Sequence, residues 1–428
     1  MTHLRAALTL TLLIAPLAAQ GLTPNEQKVV DAARASVNDA LTFLEKVVNI
    51  NSGTLNVKGV RKTGKAFDKP FRQLGFDTRW IGMPAEMQRA GHFLASRKGN
   101  RGERLLLIGH LDTVFERRSP FQKYRREGDT AYGPGVNDMK GGNVVILYAL
   151  KALHQTGNLD GTTIAVILHG DEEKVGYPLS ISRRDIRAAA EQSDLALGYE
   201  ARIPGTGTIA RRGSSNWRLE VEGKQGHSSN IFGEKYGSGA IFEASRILND
   251  FHEQMRGEQY LTFNPGSIVG GTDVTYDIPT TTGHAYGKTN IIARKVIVDG
   301  GLRFITEEQK EAAREKMRAI VAQNLPQTSA VIFFEDRYPA MPPTDASYAL
   351  LAEMDRASRD LGHGPVEAFD PGARGAADIA FVADLIAGLD GLGAVGEGGH
   401  TPKESLDIPE FIKTLELSAL LLYRLTHP

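Results

Sequence analysis

Residues 105–114 read LLLIGHLDTV: four aliphatic residues, a glycine, a histidine and, two places further, an aspartate. An unbroken apolar run of four is too short for a helix. It fits a strand buried on both faces, as in a parallel sheet covered by helices. The same arrangement recurs twice. Residues 163–168, TIAVIL, run into His169-Gly170-Asp171-Glu172-Glu173, and residues 195–199, LALGY, run into Glu200. Helical patterns separate the three runs at 144–153 and 184–192. This alternation predicts an α/β domain with a mostly parallel sheet flanked by helices. In open sheets of that kind, sites gather at the carboxyl ends of strands. His110, Glu173 and Glu200 each stand just past such an end.

Upstream, apolar residues at three- and four-residue steps predict one helix over 23–48. A second is expected over 62–74, followed by a strand at 77–81. After Gly213 the rhythm changes. Residues 217–221 alternate like a half-exposed strand. A helix follows at 239–251, then strands near 266–269, 284–286 and 295–298, a charged helix at 307–324 and a strand at 330–335. Alternating strands with two helices predict an inserted α+β unit with an antiparallel sheet. The expected division is a catalytic domain over 20–212 and 342–428, interrupted by a lid domain over 213–341. Helices at 346–361, 377–387 and 408–425 complete the reading.

Composition narrows the chemistry. The chain has 428 residues, 50 Lys+Arg against 51 Asp+Glu, and no cysteine. The near-zero net charge argues against a nucleic-acid binder that relies on a strong positive field. Without cysteine there is no disulfide scaffold, thiol nucleophile, thiolate-held metal or lipid-modified cysteine anchor. Any metal must therefore be held by nitrogen and oxygen donors. Residues 1–19, MTHLRAALTLTLLIAPLAA, place Arg5 before a short apolar run that closes on Ala18 and Ala19. That is the pattern of a cleavable export signal, so a periplasmic or secreted protein is expected, with no membrane anchor.

Four motifs carry candidate chemistry. His110 and Asp112 read either as a metal ligand with its orienting carboxylate or as a capping aspartate beside a satisfied histidine. Asp138, in YGPGVNDMKGG at 132–142, reads as a ligand or as an ordinary helix N-cap. In Asp171-Glu172-Glu173, one carboxylate could bind a cation while its neighbour works as a base, or the three could form a solvated acidic loop. His400, in GEGGHTPKES at 396–405, is a ligand or a surface histidine. Each motif alone leaves both readings open; their convergence with Glu200 favours a site. A fifth pattern, Gly205-x-Gly207-x-x-Ala210, fits a dinucleotide fingerprint, but no βαβ unit surrounds it.

Taken together and in this order, these motifs resemble the M20 family of metallopeptidases across nearly the whole chain after residue 19. The branch of closest likeness is that of periplasmic glutamate carboxypeptidases that hydrolyse folates. The resemblance implies two zinc ions sharing Asp138, with His110 and Glu200 on one and Glu173 and His400 on the other. It implies that Asp112 orients His110, and that Glu172 is the general base for the attacking water. It implies a cis peptide bond after Asp138. It further implies that the insert is a lid forming a homodimer. His227, in GKQGHSS, would bind the developing oxyanion, often across the dimer. Asn290 and Arg303 would contact the terminal carboxylate of a peptide or N-acyl amino acid substrate.

The chain departs from the family pattern at Gly301, where an aspartate is common, at Gln225–Gly226 before His227, and in a long stretch over 264–284. These touch substrate-binding parts rather than the metal core. The expectation is a dizinc carboxypeptidase releasing a glutamate-like C-terminal residue. An N-acyl amino acid amidohydrolase (aminoacylase) or a dipeptidase with the same metal site is the alternative, and a binding protein that has lost catalysis is the alternative from another class.

Overall fold

A computed structural model describes residues 21–278 and 280–428. The expected export segment, 1–19, lies outside them. Six strands form the central sheet, in the order Asp77–Ile81, His92–Arg97, Thr162–His169, Arg101–His110, Leu195–Gly198, Ala387–Leu389. The last four of these run parallel to one another, and His92–Arg97 is antiparallel to both its neighbours. The mostly parallel α/β sheet expected from residue 105 onward is thus present.

The central strand explains the covering layers. Side chains alternate across a strand with a period of two. Leu105 and Leu107 enter a large core with Leu44, Val145 and Leu421, from the helices Val37–Val48, Lys140–Gln155 and Ile408–Thr426. Leu106 and Ile108 face the other way, toward Ile186, Ala190 and Ile379. An apolar run with no polar alternation is what two covered faces demand.

The insert forms a four-stranded antiparallel sheet, ordered Thr262–Gly271, Lys295–Phe304, Gly213–Gly223, Thr328–Tyr338. Helices Gly239–Met255 and Glu307–Val321 cover one face, burying Trp217, Leu219, Val298, Ile247, Phe251 and Met317. The two chain crossings into this unit pair with each other: Arg211 N donates to Met341 O at 2.9 Å, and Met341 N to Arg211 O at 3.0 Å.

Several elements differ from expectation. The single helix over 23–48 is two, Pro24–Ala35 and Val37–Val48. Ser36 ends the first by turning both its amide and its hydroxyl back on Ala33 O, a competition typical of serine. The helix over 377–387 is absent. Asp378–Val382 is a 3₁₀ turn, and Ala387–Leu389 is an edge strand on Leu195–Leu197. Asp378 is drawn into a buried ion network there, so tertiary contacts override the helical spacing. The strand His92–Arg97 was not anticipated, and the long stretch over 264–284 divides between the sheet strand Thr262–Gly271 and a hairpin, Asp273–Asp277 with Thr282–Tyr286. Gly207 itself lies in a short strand, Thr206–Gly207, that pairs with Glu367–Ala368, and the next element is the strand Gly213–Gly223 rather than a nucleotide-binding helix. No helix of the described residues is long and apolar enough to cross a membrane.

Candidate metal centre

The site lies at the carboxyl ends of the parallel strands. His110 is the last residue of Arg101–His110. Asn143, in the first turn of Lys140–Gln155, donates from Nδ2 to His110 O at 2.5 Å, fastening helix to strand end. Glycines make that approach possible. A Cβ on Gly109 would lie 2.1 Å from Asn143 Oδ1, and one on Gly142 2.1 Å from Tyr199 O.

Asp138 is not a helix cap. The N-cap of Lys140–Gln155 is Met139, which makes no side-chain cap bond. The Asp138 carboxylate points instead at two imidazoles, with Oδ1 3.1 Å from His110 Nε2 and Oδ2 3.0 Å from His400 Nε2. The Asp138–Met139 peptide is cis. Glu200 Oε1 lies 3.6 Å from His110 Nε2, and Glu173 Oε2 lies 3.2 Å from His400 Nε2. Two triads result, His110–Asp138–Glu200 and Asp138–Glu173–His400, each with its donor atoms within 4.8 Å of one another and with Asp138 common to both.

The chemistry of this donor set fits a pair of divalent cations. Three carboxylates and two imidazoles converge, and every donor is nitrogen or oxygen. Glu173 Oε1 is buried with no hydrogen-bond partner among the described residues. The electrostatics agree. Burial raises Glu200 to about 8, only partly offset by His110. Burial likewise raises Glu173. Hydrogen bonds to Asp138 and Glu173 raise His400 to about 11. Burial opposes protonation of His110, but hydrogen bonds to Asp112 and Asp138 prevail and raise it well above 6.5. Without a cation the cluster holds protons, and binding a metal would displace them.

Asp112 works on two sides. Its carbonyl O lies 3.0 Å from His110 Nδ1, with carboxylate Oδ1 at 3.4 Å. The carboxylate is otherwise engaged: it accepts from Thr54 Oγ1 at 2.6 Å and from the amides of Glu172 and Glu173, each at 3.1 Å. So Asp112 orients the histidine and also pins the acidic loop. Glu172 stands in that loop beside the triads. Burial raises its pKa well above 4.5; His110 opposes this and Glu200 adds to it. Its place beside both triads suits it to proton transfer.

Arg303 is an exposed residue at the end of the lid sheet nearest the Glu172 loop. It pairs with Ser214, Ser214 pairs with Tyr338, and Tyr338 Oη donates to Glu172 O at 2.9 Å. Partial desolvation, then the neighbouring cations Arg212 and Arg337, lower its pKa, a setting that favours an anionic ligand. His227 and Asn290 are elsewhere. His227 bridges Ile291, and Ser228 N donates to Asn290 O at 2.9 Å, so the two lie together beyond Lys295. From Lys295 to Arg303 is eight residues of strand, about 26 Å. Within one chain, His227 and Asn290 thus stand at the opposite end of the lid sheet from Arg303 and Tyr338.

Two supporting residues carry no sequence signal. Thr54 sits in an unremarkable turn. Glu404 follows His400 in a glycine-rich loop, yet it is buried, and its Oε1 accepts from the amides of Asn137 and Asp138, each at 3.0 Å. Burial raises Glu404 to about 7. Glu404→Leu would orphan two amides behind the shared ligand. It is expected to weaken metal affinity about 10–100-fold, as loss of such supports does, whereas Glu404→Gln, which keeps one acceptor, should change it far less. Competition titration with a chelating dye measures the difference.

The comparisons with known proteins agree with this geometry. A profile of Peptidase family M20/M25/M40 matches residues 106–424. The chain belongs to the M20 peptidase family. Carboxypeptidase G2 from Pseudomonas sp. (strain RS-16) is 28% identical, over 98% of this chain and 97% of that protein. Among solved structures, aminopeptidase PepT from Bacillus cereus superposes with a TM-score of 0.74 at 19% identity, covering 91% of this chain and 98% of its own. The YXEP protein from Bacillus subtilis, described as a dinuclear metal binding M20 peptidase, gives 0.64 at 14% identity, covering 92% and 99%. The two structural likenesses speak to fold. The profile match makes this chain an M20 metallopeptidase, and the two triads around Asp138 are its candidate metal site.

Proposed function

We propose that this M20 peptidase is an exported carboxypeptidase that binds two zinc ions and removes a glutamate-like C-terminal residue from peptides or N-acyl amino acids. The observation that carries the carboxypeptidase reading is Arg303. It sits at the end of the lid sheet that touches the Glu172 loop, and the charged groups acting on it are both cations. A guanidinium in that setting suits bidentate capture of a carboxylate. The similarity to carboxypeptidase G2 over nearly the full length supports the same reading. Export rests on the pattern of residues 1–19.

His110, Asp138 and Glu200 would hold one cation, and Asp138, Glu173 and His400 the other. Bound there, divalent cations supply Lewis acidity toward the scissile carbonyl and acidify water. The chain supplies the rest. Arg303 holds the terminal carboxylate and sets the register of the scissile bond. The Glu172 carboxylate takes a proton from the attacking water and delivers it to the departing amide nitrogen.

His227 would donate to the carbonyl oxygen as charge develops. Its place at the opposite end of the lid sheet from Arg303 favours donation by His227 of the partner subunit. The exposed rings of Phe232 and Phe242, 68% and 52% accessible and 5.5 Å apart, support association at that end of the lid.

Arg303→Ala is expected to raise KM about 10–100-fold, the worth of a charge-assisted hydrogen-bond pair. Metal content should be unchanged. The effect should appear on substrates with a free C-terminal carboxylate. Equal turnover of free and C-terminally amidated substrates by the unaltered enzyme would overturn the carboxypeptidase reading.

A further inference from the structure

The loop bearing Glu172 and Glu173 has no regular structure of its own. It leaves the strand Thr162–His169 and reaches the next helix at Leu179. Its root is held by a buried ionic clamp. Arg183, 1% exposed, donates from Nη1 to Asp171 Oδ1 at 2.7 Å, from Nη2 to Asp171 O at 3.2 Å, and from Nε to Asp378 Oδ1 at 2.8 Å. Asp378 Oδ2 is hydrogen-bonded to His169 Nδ1, at the strand end just before the loop. Asp171 Oδ2 accepts from Gly176 N at 2.9 Å, closing the loop on itself.

The clamp stops at Asp171. The next residue, Glu172, has its amide fixed by Asp112, while its carbonyl is fixed from another unit of the fold. Tyr338, the last residue of the lid strand Thr328–Tyr338, reaches across and donates from Oη to Glu172 O at 2.9 Å. Its ring lies 5.0 Å from that of Phe381, and the Arg183 guanidinium stands 5.3 Å from the same Phe381 ring. Tyr338 therefore touches the loop directly and shares the Phe381 ring with the clamp.

We infer that Tyr338 is a positioning residue for the reaction: its hydroxyl fixes the peptide plane of Glu172, so that the carboxylate is aimed only while the lid strand is seated. The same end of the lid sheet carries Arg303, two strands away through Ser214. Seating of the substrate-facing lid strand and aiming of the carboxylate are then one event. The inference rests on the reading of Glu172 as the general base.

Tyr338→Phe keeps the ring on Phe381 and removes only the hydroxyl. The expected result is a fall in kcat of about tenfold, the size of one hydrogen bond, with KM within about twofold, metal content unchanged and the melting temperature lowered by no more than a few degrees. In a Glu172→Gln background the same substitution should have no further effect, because it acts through Glu172. An unchanged kcat in Tyr338→Phe would overturn the inference, as would an equal tenfold loss in both backgrounds. Full activity in Glu172→Gln alone would instead overturn the assignment of the base.

Discussion

Asp138→Ala is expected to yield a folded chain that binds neither cation with useful affinity and hydrolyses no amide measurably above background. Asp138 is the residue common to both triads. Its loss leaves two donors on each side, His110 with Glu200 and Glu173 with His400. It also removes the acceptor that fixes both imidazoles, at 3.1 and 3.0 Å. Loss of a supporting residue behind a ligand costs up to about 100-fold in metal affinity; loss of a ligand shared by two ions should cost well beyond that. The Asp138 carboxylate takes no part in the hydrophobic core and caps no helix. Circular dichroism should therefore stay native while metal titration goes flat. Saturable tight binding of two ions to the variant would contradict the shared-ligand arrangement.

The second large effect is expected at Glu172. Glu172→Gln preserves shape and removes the base. A fall in kcat of about 10²–10⁴ is expected, the range for a positioned general acid–base group. Metal content should match the parent, since Glu172 belongs to neither triad. KM should move by no more than a few-fold, because the substrate carboxylate is held elsewhere. The Glu172 amide still donates to Asp112 Oδ1 in the variant, so the loop stays anchored. Steady-state kinetics with elemental analysis of the same preparation separates the outcomes. Loss of metal along with activity would make Glu172 a ligand, and retained activity would move the base to another residue.

Much of this was legible because strand ends and ligands coincide in the sequence. Leu105 to Ile108 announce a doubly covered strand, and His110 stands at its end. The runs ending at His169 and Gly198 place Glu173 and Glu200 in the same way. Family resemblance added the partner across the cluster, His400, and the cis bond after Asp138, which no local pattern marks. Elements with weak periodicity were not legible. His92–Arg97 is a buried antiparallel strand whose six residues carry two imidazole- or guanidinium-bearing side chains. The 377–387 segment looks helical until Asp378 is claimed by Arg183 and His169. Supporting residues were the least visible. Glu404 and Thr54 act through hydrogen bonds to backbone amides or to a carboxylate distant in sequence, and such pairings leave no spacing to read. Tyr338 ends a lid strand, and only the folded chain brings its hydroxyl to Glu172.

The central claim is a two-cation site built on Asp138. It is tested most directly by metal stoichiometry and activity on one sample. The chain is stripped with a chelator, then titrated with zinc while bound metal and hydrolysis are followed together. Two ions bound per chain, with turnover absent in the stripped protein and restored as the sites fill, is the predicted result. Full-rate amide hydrolysis by the stripped chain, or saturation at fewer than two ions with full activity, would contradict it.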